Sequence, residues 1–314
     1  MNPGAFSKRS LARSPHLHAP AGLERPRNPF FVQTQQGEAV GVCTDMEART
    51  YICATCGVQF APGANEPEHC PICEDERQYV GWSGQRWTTL GDLRKAHRNQ
   101  MRDDLGLLGI GTEPSFAIGQ RAILVPTPEG NLLWDCITLL DDATVEAVQK
   151  LGGLSAIAIS HPHYYSAMVE WGRAFDAPVY LHAADRQWVM RPDPYLEFWD
   201  GETRALWDGM TLIRAGGHFD GGTVLHWPAG AEGRGALLTG DIVQVAQDRR
   251  WVSFMYSFPN YIPLPAREID HIVSTVEPFR FDRIYGAWWD RNVTSDAKGA
   301  IHRSAERYKK ALGR

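Results

Sequence analysis

Two imidazoles at i and i+2 stand in Ser160-His161-Pro162-His163-Tyr164-Tyr165-Ser166, just beyond a short apolar run, Leu154 to Ile159. Past a strand end, that spacing aims both rings into one crevice outside the strand's carboxyl end, where an open α/β sheet places its ligands. Two further segments offer matching chemistry. His218 lies in the turn Gly216-Gly217-His218-Phe219-Asp220-Gly221-Gly222, where glycines let the backbone approach a metal closely. Asp241 follows the stretch 235–240, and an ionised carboxylate at a strand end needs the counter-charge a cation provides. An HxH pair alone is weak evidence. Three histidines and a carboxylate together are a ligand set for catalytic zinc, which usually takes three protein ligands and a water.

A second constellation is purely thiol. Cys53, Cys56, Cys70 and Cys73 are spaced C-x2-C-x13-C-x2-C. Each pair forms a tight knuckle, and two knuckles close a tetrahedral four-sulfur site for zinc or iron. Gly57 and Pro71 suit the turns required. His69 is a bystander, since four cysteines already complete the site. Cys43 and Cys136 read as small buried hydrophobes.

The elements that must hold these groups follow from pattern. Residues 1–35 are rich in Pro, Ser and Arg without a hydrophobic period, and read as a disordered or loosely docked extension. Residues 36–90 hold the cysteine module. The charged stretch Asp92 to Leu108 predicts a linker helix within 91–114. Short strands are expected at 115–118, 121–125 and 131–136, and Asp141 or Asp142 caps a helix carrying Val145, Val148 and Leu151 on one face. Strands at 154–159, 178–181, 210–214, 223–227, 235–239 and 281–286 then alternate with helices at 165–175, 265–276 and 295–311.

With the ligands in this order at strand ends, residues 115–290 resemble the metallo-β-lactamase fold superfamily. The landmarks are Leu133-Trp134-Asp135, His161-x-His163, Gly217-His218 and Thr239-Gly240-Asp241. The resemblance implies an α+β, four-layered αββα sandwich over 115–314. It implies His161, His163 and His218 as the first metal site, with Asp241 where that family bridges to a second metal. The cysteine module is similar to rubredoxin-like ribbons over about residues 50–82. Two departures stand out. The family's H-x-H-x-D-H loop has Tyr165 and Ser166 in its last two ligand positions, and Trp288 and Trp289 follow the final core strand where a histidine is expected. A two-metal centre therefore loses three ligands, with Tyr165, His182 and Asp290 as the available substitutes.

One zinc and a water imply a hydrolase of a small ester, thioester or lactone, with Asp241 taking the water's proton and Tyr164 or Tyr165 donating to the developing oxyanion. A non-catalytic partner-docking protein and an iron-dependent redox protein remain as alternatives. A formal net charge of −5 gives no basic surface for nucleic acid. No apolar run reaches the ~20 residues of a membrane span, and thiols used as metal knuckles suit the cytoplasm. A homo-oligomer is allowed. The ribbon is expected to roof the active site or form a subunit contact, and the aromatic-rich loops 188–209 and 246–264 to shape the pocket.

Overall fold

A computed structural model describes residues 48–313, so the extension over 1–35, the start of the cysteine module and Cys43 lie outside the described residues. Two large sheets dominate. The first has seven strands in the order Arg98–Asp104, Leu107–Glu113, Arg121–Val125, Leu132–Trp134, Ala156–Ala158, Val179–His182 and Leu196–Trp199. Its first four strands pair antiparallel and the remainder parallel. The second has six, Thr203–Ala205, Thr211–Arg214, Thr223–Trp227, Ala236–Gly240, Arg283–Gly286 and Asn292–Val293, with one parallel pair, Ala236–Gly240 beside Arg283–Gly286.

The two-residue period of these strands builds the layers. In Arg121–Val125, Ala122 and Leu124 pack toward the helices Asp142–Lys150 and Met168–Phe175, whereas Ile123 and Val125 face the other sheet. In the second sheet Leu212, Leu225 and Leu238 point inward to meet them. Their neighbours Ile213, Val224 and Leu237 point outward against Ala266–Val276 and Ala297–Ala311. Helix, sheet, sheet, helix is the four-layered sandwich the sequence implies.

The expected linker helix over 91–114 is wrong. A short helix, Leu90–Ala96, is followed by a hairpin, Arg98–Asp104 with Leu107–Glu113, which forms one edge of the first sheet. Leu105 and Gly106 both take left-handed φ (53° and 87°), the two-residue turn that suits the strand twist. An edge strand carries charge on solvent-facing positions to block sheet-to-sheet association, and that charge gave Arg98–Asp104 its helix-like texture. The sandwich thus begins before residue 115, and 115–118 is a loop rather than a strand. Asp141 caps its helix as expected, accepting the Thr144 N–H.

The four-cysteine module packs directly on the sandwich. Its strand Tyr51–Cys53 pairs with Trp87–Thr89. Gln59 N–H donates to the Ser166 carbonyl at 3.0 Å, and Thr138 Oγ1 donates to the Gly57 carbonyl at 3.0 Å. The module is therefore tied to the end of the histidine loop itself. Among the described residues, no helix is long and apolar enough to cross a membrane.

Candidate metal centre

Both sheets contribute to one edge. His161 and His163 leave the carboxyl end of Ala156–Ala158, with Pro162 starting a single 3₁₀ turn, Pro162–Tyr164. His218 hangs in the loop between Thr211–Arg214 and Thr223–Trp227, and Asp241 directly follows Ala236–Gly240. The three imidazoles meet edge to face, with ring centroids 5.0 to 5.2 Å apart. His218 Nε2 lies 3.2 Å from His163 Nδ1, and His161 Nε2 lies 3.2 Å from Asp241 Oδ1. Ligands at zinc's usual distances and tetrahedral angles are about 3.3 Å apart, so both separations match edges of one coordination tetrahedron. His161 Nε2, Asp241 Oδ1 and the Tyr164 hydroxyl are buried with no hydrogen-bond partner. Orphaned buried polar atoms are rare in folded proteins; a shared cation would satisfy the donor set here.

Surrounding groups fix how the rings present themselves. Ser160 Oγ is 2.9 Å from His161 Nδ1, and His218 Nδ1 donates to the Tyr256 carbonyl at 2.8 Å. Each bond frees Nε2 as the ligand atom. The Ser160 N–H is itself held by Asp135 Oδ1 at 2.8 Å. Gly240 has φ +53°, and a Cβ there would come within 2.6 Å of Ser160 Oγ, so only glycine lets the two strand ends close up. Buried Asp185 accepts the Gly221 N–H at 2.9 Å and anchors the glycine turn that carries His218. Burial drives the electrostatics. It holds all three imidazoles below their ordinary range, His218 at about 4, and pushes Asp135, Asp185 and Asp241 up to about 7. Neutral histidines ringed by carboxyls short of a counter-charge are ready for a metal ion.

The cavity beside this cluster is small, about 110 Å³. Its walls are His163, His218 and Asp241, the apolar Ile118, Phe258 and Trp288, and three residues of the cysteine module, Arg77, Gln78 and Tyr79. Arg77 is gripped by Asp75 through Nε at 2.6 Å and Nη2 at 2.9 Å. Its guanidinium lies 4.0 Å over the Phe219 ring and donates to the His218 carbonyl at 3.4 Å. The module is a roof over the histidine site.

Within the module all four cysteines are buried, free of disulfides, and gathered in one cluster. Cys53 and Cys73 sulfurs are 3.5 Å apart, and Cys56 and Cys70 sulfurs 3.7 Å apart. Four sulfurs at about 2.3 Å from a tetrahedral zinc stand about 3.8 Å from one another. The donor set fits a structural metal.

No family model matches the chain. It is 52% identical over 265 residues to the uncharacterized protein YmaE of Bacillus subtilis (strain 168), a match covering 83% of this chain and 96% of that protein. The chain belongs to the YmaE family. Two structures of the metallo-β-lactamase DIM-1, one exposed to ceftazidime, superpose with a TM-score of 0.50 at 13% and 14% identity, covering 68% of this chain and 98% of theirs. At those identities the likeness is one of fold, and the fold is that of the metallo-β-lactamases.

In this YmaE-family chain the structure brings together His161, His163, His218 and Asp241, with Tyr164 packed on His161 at a ring separation of 4.4 Å. It does not bring the second-site substitutes. Tyr165 is buried in the core beneath the first sheet, with Asp185 as its charged neighbour, because adjacent residues of a 3₁₀ turn point about 120° apart. Ser166 bonds Gln120 and the Cys136 carbonyl. His182 bonds the Gly201 carbonyl and the Ala184 N–H, and Asp290 is exposed and paired with Arg102. Trp288 fills the late-histidine position as a cavity wall, its indole N–H donating to the Ile118 carbonyl. Sequence reasoning missed Arg77, Asp135 and Asp185 as site-building residues. No local signal marks Arg77, whose place over Phe219 comes from docking of the module.

Proposed function

We propose that this chain is a metal-dependent hydrolase of a small ester, thioester or lactone, working with a single zinc ion at the histidine cluster and a structural zinc at the cysteines. The observation that carries the reading is the meeting of three buried imidazoles with Asp241 at one sheet edge, where His161 Nε2, Asp241 Oδ1 and the Tyr164 hydroxyl have no hydrogen-bond partner and His163, His218 and Asp241 line a cavity. A zinc ion there supplies Lewis acidity and lowers the pKa of a water from 15.7 to roughly 7.

The protein's own groups do the rest. His161, His163 and His218 stay neutral through burial and keep their ligand nitrogens free of protons. Asp241 would help hold the ion through Oδ1, 3.2 Å from His161 Nε2, and its other carboxylate oxygen would accept the proton of the attacking water. The Tyr164 hydroxyl is pushed up by burial and by the Asp241 and Asp135 charges, so it remains a donor. Close to Asp241, it can donate to the developing oxyanion. Ile118, Phe258 and Trp288 exclude bulk water and strengthen each of these interactions.

The test is metal content and hydrolysis of p-nitrophenyl acetate, a simple thioester and γ-butyrolactone, for wild type and a His161→Ala/His163→Ala double variant. Two zinc ions per chain should fall to one, with hydrolysis lost. Hydrolysis surviving in the double variant refutes the mechanism. An iron-type visible spectrum supports redox chemistry instead, and a wild type that folds but holds metal only at the cysteines supports a non-catalytic docking role.

A further inference from the structure

The cavity is about 110 Å³, roughly a third of the ~300 Å³ at the lower end of small-molecule sites. It admits a reacting carbonyl and a few atoms around it. The remainder of any substrate must lie outside, across whatever surrounds the mouth.

Two short loops make that surround. One is the segment after Cys73, which supplies Arg77, Gln78 and Tyr79 to the wall. The other is the tip of the hairpin Met255–Ser257/Ile262–Pro263, which supplies Phe258 and Pro259. They are stitched together. Asn260 Nδ2 donates to the Glu76 and Gln78 carbonyls at 2.9 and 3.0 Å, Ser257 Oγ donates to the Arg77 carbonyl at 3.2 Å, and the Tyr256 hydroxyl donates to Glu76 at 2.6 Å. The pair forms one rigid rim.

That rim is apolar on its outer side. Tyr79 is 49% exposed, Trp82 fully exposed and Tyr261 85% exposed, with Val80 and Ile262 beside them in the chain. Among the described residues these five are most of the eight large apolar side chains that stand out into solvent, so the exposure is a property of this rim and not of the surface at large. Clustered apolar exposure marks a binding surface. Tyr79 belongs both to the cavity wall and to the rim, making the two surfaces continuous. The cation of the wall, Arg77, is already paired with Asp75, which disfavours an anionic membrane surface as the occupant.

Building on the hydrolase reading, we infer that the site takes substrates with an extended apolar acyl chain: the carbonyl enters the cavity, and the chain lies along Tyr79, Val80, Trp82, Tyr261 and Ile262. The chain length, not the leaving group, is what the rim reads.

The experiment is calorimetric binding of butyrate, octanoate and dodecanoate, below their micellar concentrations, to the zinc-loaded full chain and to a Trp82→Ser/Tyr261→Ser variant. Equal zinc content in both proteins verifies that the variant folds. A methylene gains about fourfold in affinity when fully buried, and about twofold against one wall, so butyrate to dodecanoate should gain on the order of a hundredfold. In the variant that gradient should collapse to a few-fold. A flat wild-type series overturns the inference, as does a gradient equally steep in the variant. Cosedimentation with phosphatidylcholine vesicles, or a dimer that the variant converts to monomer, assigns the rim to a membrane or to a second copy and also overturns it. Turnover of p-nitrophenyl dodecanoate, monododecanoyl glycerol and dodecanoyl-coenzyme A then separates ester from thioester sources of the chain. Absence of all turnover with the affinity gradient intact removes the hydrolase reading and leaves the acyl-chain site standing.

Discussion

Asp185 is the place where charge and anchoring can be separated. It is buried, raised from the ordinary 3.8 to about 7 chiefly by burial, and its carboxylate holds the Gly221 N–H below the His218 turn. A group whose folded pKa is raised leaves stability intact below its unfolded value and loses it as pH rises through the folded value. The window here runs from about pH 4 to about pH 7, roughly three units at 1.36 kcal/mol each, or about 4 kcal/mol in total. Asp185→Asn keeps an oxygen acceptor for Gly221 and removes the titration. The stability of the variant relative to wild type should rise by about 3 kcal/mol between pH 4.5 and pH 8, at about 1.4 kcal/mol per unit up to about pH 7 and flat above it. Asp185→Ala drops the acceptor as well. It should fall below wild type at pH 4.5 by about 1–3 kcal/mol, the cost of a buried unpaired N–H. Urea unfolding of the three proteins at fixed zinc concentration, from pH 4.5 to 8, measures both effects. An Asn-minus-wild-type difference that stays flat across that range would mean Asp185 is already ionised at low pH, and the account of its burial fails.

Two further outcomes follow from the geometry. Ser160→Ala removes the partner of His161 Nδ1 and should weaken zinc at the histidine site 10- to 100-fold while leaving the cysteine site filled, as read by competition with a chromophoric chelator; unchanged affinity means Ser160 does not set the ring. Gly240→Ala forces a left-handed alanine, at about 1–2 kcal/mol, and drives a Cβ to within 2.6 Å of Ser160 Oγ. A total loss of about 2–4 kcal/mol in urea unfolding is expected, with zinc affinity falling alongside, and a variant as stable as wild type would show that the strand ends are not in tight contact.

The two clusters were legible because each candidate ligand sits in a local motif whose chemistry needs no knowledge of the partner: a C-x2-C knuckle, an HxH past a strand, a glycine-flanked histidine, an aspartate at a strand end. The sandwich was legible because strands such as Arg121–Val125 and Thr223–Trp227 carry apolar side chains to both faces and end in turn residues. The hairpin Arg98–Glu113 was not, because its first strand is an edge whose exposed charges hide the two-residue period. Tyr164 and Tyr165 are neighbours buried in one core cluster, yet Tyr164 packs on His161 and feels Asp241, whereas Tyr165 has Asp185 as its charged neighbour. Arg77 illustrates a different limit. Nothing local says that a residue beyond Cys73 will lie over Phe219, 142 positions later, since that contact is made by docking of the module.

That docking gives the cysteine cluster a purpose its stabilising energy does not explain. A sandwich with three contiguous cores does not need a metal to fold. The segment 74–79, by contrast, has only the one-turn helix Pro71–Glu74 and the Asp75–Arg77 pair to give it shape, and a loop that short is ordered only if its ends are held. The cluster holds one end through Cys70 and Cys73, and Asn260 and Ser257 hold its middle. The cysteine cluster thus holds a wall of the cavity beside the histidine cluster. Ordering the roof matters most at a site whose carboxyls are buried without enough counter-charge. There the guanidinium over Phe219 adds to burial in holding the three imidazoles below their ordinary range, and the exclusion of water strengthens each charge interaction.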